Sequence, residues 1–257
     1  MPGLTDLLSD KVGLVVGVAN ERSIAAGCAH AFRDAGAQLV LTCREKSMRF
    51  VTPFTETIKP RLLLDLDVET EGSLEKVFDQ VKTTFGRLDF VLHSIAFCPP
   101  QDLHGRVTDC SREGFGRAMD ISVHSFIRMA RLAEPMMPGG GCLLTVSYYG
   151  AEKVVDHYNI MGPVKAALEG TVRYLAAELG PKGIRVNALS PGPLKTRAAS
   201  GIDHFDVLID EARARAPERR LVTIEDVGAM AVGLVSDYAR NVTGNIEYVD
   251  AGYHVMS

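Results

Sequence analysis

Apolar residues come in two rhythms that alternate along this chain. Val12–Val18, Gln38–Cys43, Leu62–Leu66, Phe90–Ile95, Cys142–Val146, Ile184–Leu189 and Ile246–Val249 are short aliphatic and β-branched runs with little polar interruption. Such runs predict strands buried on both faces. Between them, Ile24–Ala35, Ser73–Phe85, Arg112–Ala133, Val164–Leu179 and Val227–Ser236 space their apolar residues three and four apart, which predicts helices with one buried side. Regular alternation of the two predicts a parallel sheet covered by helices on both faces, a single-domain, doubly wound α/β fold of the Rossmann type spanning residues 1–257. Gly36 and Gly180-Pro181 stand where the helices should stop. Pro191–Arg220 breaks the rhythm, with Pro, Gly and Ser followed by a helical piece rich in Arg and Glu. A connection of that length is expected to be a lid or a disordered segment.

Composition narrows the field by exclusion. A chain of 257 residues with 46% hydrophobic and 23% charged residues can bury a sizeable core as one domain. Its net charge of −4, with Lys and Arg scattered, gives no footprint for nucleic acid. The five cysteines, Cys28, Cys43, Cys98, Cys110 and Cys142, are odd in number and lack Cys-x2-Cys or Cys/His spacing, so neither a disulfide framework nor a zinc site is expected, and a reducing cytosol fits. No leader pattern opens the chain and no apolar run approaches the ~18 residues of a membrane span. The expectation is a cytoplasmic protein without a membrane or a metal.

The first strand leads into Gly17-Val18-Ala19-Asn20-Glu21-Arg22-Ser23-Ile24-Ala25-Ala26-Gly27, a degenerate Gly-x-Gly-x-x-Gly at the turn where doubly wound sheets bind dinucleotides. Small residues at Gly17 and Ala19 let the backbone approach a pyrophosphate, and the helix amides and the Ser23 hydroxyl are expected to donate to it. Arg44 follows the second strand, where NAD sites often place an acid against the adenosine ribose. Either Arg44 pairs with a 2′-phosphate, with Glu45 opposing, or it is a solvated residue opening a helix; NADH and NADPH both stay open. Asp67-Val68 is placed to hold the adenine edge, and Ser94-Ile95-Ala96 is small enough to pass under the cofactor.

Tyr158 and Lys165 are separated by six residues. On one helix they would be about 700° apart, roughly 20° short of two turns, and would face one pocket. Ketone reduction delivers hydride to the carbon bearing the oxygen, so its tyrosine donor must sit close to the hydride source. Reduction of a conjugated enoyl thioester delivers hydride to the β carbon, two bonds beyond the carbonyl carbon, and the donor should sit further out. The Tyr-x6-Lys pair is consistent with the second geometry; Tyr-x3-Lys is ruled out because Met161 stands four before Lys165. A lysine on the apolar side of a helix needs a partner. His93 and His157 are read as structural or solvated.

Together, Gly17–Gly27, Asp67-Val68, Ser94-Ile95-Ala96, the block Ser147-Tyr148-Tyr149-Gly150-Ala151-Glu152, Tyr158 with Lys165, Ile184-Arg185-Val186-Asn187, Pro191-Gly192-Pro193 and Ala198-Ala199-Ser200-Gly201-Ile202 resemble the short-chain dehydrogenase/reductases. More narrowly, they resemble bacterial enoyl-acyl-carrier-protein reductases of the FabI type, from about Lys11 to Tyr253. The resemblance implies NAD(P)H-dependent reduction of a trans-2-enoyl thioester in fatty-acid elongation, acyl carrier protein as the carrier of the enoyl chain, and a homotetramer. It implies that Tyr158 meets the thioester carbonyl and its enolate, that Lys165 holds the nicotinamide ribose, and that Tyr148 is a second tyrosine in the acyl pocket. Leu194 and Thr196 would lie along the nicotinamide amide and pyrophosphate. Met161, Ile202 and Phe205 would wall the acyl chain, with Gly201–Glu211 part of a mobile substrate loop. Cys98 stands where relatives tend to have Ala or Gly and would narrow the pocket. Pro163 would kink a helix that began well before it. Pro99–His104, which departs from the usual form, would border substrate. The rival readings are a short-chain reductase of another enone or carbonyl, and a noncatalytic dinucleotide sensor.

Overall fold

The computed structural model describes residues 6–196 and 205–256. Seven strands form one parallel sheet: β1 (Val12–Val16), β2 (Gln38–Cys43), β3 (Leu62–Asp65), β4 (Phe90–His93), β5 (Gly141–Val146), β6 (Ile184–Pro191) and β7 (Ile246–Val249), in the order β3-β2-β1-β4-β5-β6-β7. The helices are α1 (Ile24–Asp34), α2 (Met48–Ile58), α3 (Ser73–Phe85), α4 (Pro100–Leu103), α5 (Arg112–Met119), α6 (Ser125–Ala133), α7 (Met161–Leu179), α8 (Phe205–Arg215) and α9 (Ile224–Val235). The strand order reverses between β1 and β4, which opens a crevice beyond their C-terminal ends.

Two apolar layers lie on the two sides of the sheet. One gathers α3, α5, α6 and α7 with residues such as Leu14, Phe126, Met129 and Leu168; the other gathers α1, α2 and α9 with Val15, Phe32, Leu41 and Phe90. Helices α1 and α9 cross at Gly27 and Gly228, where an added Cβ would lie 2.4 Å from the Ile224 carbonyl oxygen and 2.6 Å from that of Gly27. The contact is between backbones, so any side chain there would force the helices apart.

Several expectations need adjusting. The central strands are buried on both faces, whereas the edge strands β3 and β7 are only half-buried, because each has a neighbour on one side. The helical stretch predicted over Arg112–Ala133 is interrupted by a π turn at Asp120–His124, a wide turn that periodicity cannot register and that recurs near functional sites. Helix α2 escaped notice because Pro53 lies inside it, and proline there removes a helical hydrogen bond. The helical piece expected within Pro191–Arg220 is α8, and residues 197–204 lie outside the described set.

Candidate active site

The pair that looked like two positions on one helix is assembled differently. Helix α7 begins at Met161, and Tyr158 sits in the turn before it. His157 and Asn159 flank it in the left-handed region, at φ 63° and 45°, a conformation that costs free energy for non-glycine residues and is tolerated best by Asn. The Asn159 side-chain amide donates to the Leu103 carbonyl at 2.6 Å, tying this turn to α4. Pro163 is the third residue of α7, where an amide proton has no intrahelical partner to lose, so the feared kink does not arise.

Tyr158 is buried, and its ring lies 4.8 Å from that of Tyr148 at 65°. The Tyr148 hydroxyl is buried and has no hydrogen-bond partner among the described residues. Burial raises both phenols well above their ordinary pKa, with the neighbouring tyrosines adding to it; each is a neutral donor across the physiological range. β5 ends at Val146, and Tyr149 turns the other way to pack on Tyr253, with ring centres 5.7 Å apart.

Lys165, on the first turns of α7, is buried and its Nζ donates to the Val146 carbonyl at 2.6 Å. Desolvation lowers its pKa to about 8, opposed by the negative charge of Glu169 one turn later. Nearby His93 is fully buried between Thr145 Oγ1 (2.8 Å to Nδ1) and Ser125 Oγ (2.9 Å to Nε2). Ser125 gives its own proton to the Ile121 carbonyl at 2.6 Å, so Nε2 donates to Ser125 and Nδ1 accepts from Thr145. Burial first, then the Lys165 charge, hold the ring neutral with a pKa near 3. His93 is structural, and His157 is exposed.

Tyr148, Tyr158, Met161 and Lys165 line a mainly apolar cavity of about 370 Å³ with Ile24, Ser94, Ile95, Ala96, Cys98, Leu103, His104, Pro191–Leu194 and Thr196. Cys98 is buried in its wall, its thiol raised to about 11 by burial with Asp102 contributing, so it is inert bulk and not a nucleophile. Ile202 lies outside the described residues, and Phe205 is described only as the first residue of α8. Ser94, Ile95 and Ala96 also floor a second cavity, with Gly17, Ala19, Arg44, Asp67 and Val68. The two cavities form one crevice along the strand ends.

That second half fits a dinucleotide. Gly17 has φ +99°, and an added Cβ there would stand 2.2 Å from the Ser94 carbonyl oxygen; only glycine allows β1 and β4 to approach and leave the floor open. Two sequence expectations shift. The Ser23 hydroxyl is the N-cap of α1, accepting from the Ala26 amide at 3.2 Å and donating to the Asn20 carbonyl at 2.8 Å, so it would have to give up the Asn20 carbonyl to donate to a pyrophosphate. Arg44 is not merely solvated: it pairs with Asp67 at 2.5 Å, so the two groups expected to read the adenosine end touch each other, and a 2′-phosphate would compete with the Asp67 carboxylate for the guanidinium.

Residues with no sequence signal complete the site. Phe97 lines both cavities; its backbone is held by the buried Ser122 of the π turn (3.1 Å from amide to Oγ), and Arg117 lies 4.7 Å over its ring. Glu169 accepts from Ser147 Oγ at 2.6 Å. A lone acid inside a helical pattern reads as a solvated position, and only its i+4 relation to Lys165 could have drawn notice.

A family model described as Enoyl-(Acyl carrier protein) reductase matches residues 17–254. The enoyl-acyl-carrier-protein reductase (NADH) 1 of Rhizobium meliloti is 46% identical over 257 residues, covering 100% of this chain and 94% of that one. The FabI reductase (NADH) of Aquifex aeolicus is 46% identical over 252 residues, covering 97% and 93%. Among solved structures, the Anaplasma phagocytophilum reductase in complex with NAD superposes with a TM-score of 0.94 at 44% identity, over 98% of this chain and 96% of that one. The Bacillus cereus enzyme with NADP+ and an indole naphthyridinone gives 0.95 at 44%, over 98% and 99%.

Proposed function

The chain belongs to the enoyl-acyl-carrier-protein reductase family, and from that premise we propose how its own residues carry the reaction. The protein is an enzyme that reduces trans-2-enoyl thioesters on acyl carrier protein with NADH, as in fatty acid biosynthesis. Bound NADH supplies the hydride, which goes to the substrate's β carbon. Lys165 would hold the nicotinamide ribose; Gly17, Ala19, Ile24 and the Ser94–Ala96 floor would hold the pyrophosphate side, and Leu194 and Thr196 would lie along the nicotinamide amide and pyrophosphate, in keeping with their places in the two cavity linings. Asp67 and Val68 border the adenosine end.

Hydride arrival at the β carbon pushes charge onto the thioester oxygen. Tyr158 donates to that oxygen, with Tyr148 beside it, and both remain protonated because burial disfavours the phenolate. A preorganised donor in a water-poor cavity favours the enolate more than the ground state. The acyl chain lies against Met161 and Cys98, with Ile202 and Phe205 assigned to the same wall. The observation that carries this reading is the pair of buried phenols beside Lys165 in an apolar cavity continuous with the nucleotide crevice.

Tyr158→Phe tests it. Loss of one oxyanion donor costs about 2.7–4 kcal/mol, so kcat with a trans-2-enoyl thioester should fall by up to about a hundred- to a thousandfold while the NADH dissociation constant stays within about twofold. Full activity in this variant would remove Tyr158 from the mechanism. We assign the protein to the cytoplasm, which fractionation would check; among the described residues no helix is long and apolar enough to cross a membrane. We assign it a homotetrameric state, in line with the resemblance; sedimentation should give four times the mass of the 257-residue chain, and a monomer mass would contradict it.

A further inference from the structure

Resting on the assignment of Lys165 to the cofactor ribose, we propose that Glu169 is a positioning residue of this reaction: it anchors the end of β5 that carries Tyr148 and supplies the counter-charge for Lys165. A carboxylate that is 8% exposed is costly unless something holds it. Its hydrogen bond comes from Ser147 Oγ at 2.6 Å, while Lys165, four residues earlier on the same face of α7, binds the Val146 carbonyl at 2.6 Å. Two consecutive residues at the end of β5 are thus each gripped from α7, one through a backbone oxygen and one through a hydroxyl. Tyr148 is the next residue. Its hydroxyl has no partner among the described residues, and its placement follows from the backbone that precedes it and from the ring of Tyr158.

The charges around the pair give Glu169 its second role. Lys165 faces Glu169 from its own helix, the neutral His93 ring from β4, and the neutral phenols of Tyr158 and Tyr148 in the cavity wall. Among these, Glu169 is the anion that opposes the desolvation of the ammonium. Glu169 in turn faces Arg173 on α7, Glu152 after Tyr149, and Tyr248 on β7, whose hydroxyl donates to Glu152 at 2.8 Å. Burial raises the Glu169 pKa; the Ser147 hydrogen bond, then Arg173, and last Lys165 pull it back, while Glu152 adds to the rise.

Two substitutions separate the roles. Glu169→Gln keeps the shape and an oxygen for Ser147 and removes the charge, so the pH at which NADH binding is lost on the alkaline side should move down by about one unit. Ser147→Ala keeps the charge and removes the anchor, so that limb should stay in place while kcat with a trans-2-enoyl thioester falls about tenfold or more. A Glu169→Gln titration that superposes on wild type, or a Ser147→Ala enzyme with unchanged kcat, overturns the proposal. If Glu169→Gln does not fold, Glu169→Asp carries the test, with charge kept and reach lost: the limb should stay and kcat should fall, and either a shifted limb or an unchanged kcat overturns it. Lys165→Met is run alongside. If it binds NADH as wild type does, the Lys165 assignment itself is wrong, a failure distinct from those above.

Discussion

At the scale of single residues, environment decides chemistry more than residue type does. Cys28, Cys43, Cys98 and Cys142 are buried with thiols raised to between about 11 and about 12, and His93 is locked neutral, so the groups that most invite a mechanistic reading in sequence have none. Tyr158, Lys165 and Tyr148 could be singled out in the sequence; Ser122, Asn159 and Glu169 could not, because their hydrogen bonds with Phe97, Leu103 and Ser147 cross 25, 56 and 22 positions. Arg44 illustrates the same limit, since its partner Asp67 lies 23 residues away. A 2′-phosphate must compete with the Asp67 carboxylate for Arg44, which favours NADH. A charge-assisted contact contributes about 1.5–3 kcal/mol. Arg44→Gln should therefore raise the KM for NADPH about tenfold more than that for NADH, and equal changes in steady-state kinetics would show that Arg44 plays no part in the discrimination.

At the scale of elements, the strands and the helices α1, α3, α7 and α9 could be read from periodicity because burial on one or two faces imposes it. What periodicity could not show was how elements end. Tyr158 and Lys165 do share one cavity, but the reason is not two turns of helix: a left-handed turn precedes α7 and is bound to α4 through Asn159 and Leu103. The spacing expected of one continuous helix is met by a turn followed by a helix, and the two side chains still line one cavity. Lys195, between the cavity-lining Leu194 and Thr196, pairs with Asp206 of α8 at 2.9 Å. If α8 belongs to a substrate lid, amide protection at Phe205–Glu211 should increase when NADH and an enolate-like inhibitor bind together. Identical hydrogen exchange with and without the complex would exclude α8 from closure.

At the scale of the whole molecule, the doubly wound sheet places the nucleotide crevice and the acyl cavity side by side beyond the strand ends, sharing the Ser94–Ala96 floor. Fold alone supports many reactions, and this layout would serve a ketoreductase as well. The family match decides for the enoyl reductase, and the role proposed for the buried tyrosine pair, meeting charge on an oxygen remote from the carbon that receives hydride, accords with it. The most direct test offers the wild-type enzyme matched trans-2-enoyl and β-ketoacyl thioesters on acyl carrier protein and follows NADH oxidation. Rapid oxidation with the enoyl thioester and only background with the β-ketoacyl thioester is the predicted result; turnover of the β-ketoacyl thioester without turnover of the enoyl one would contradict it.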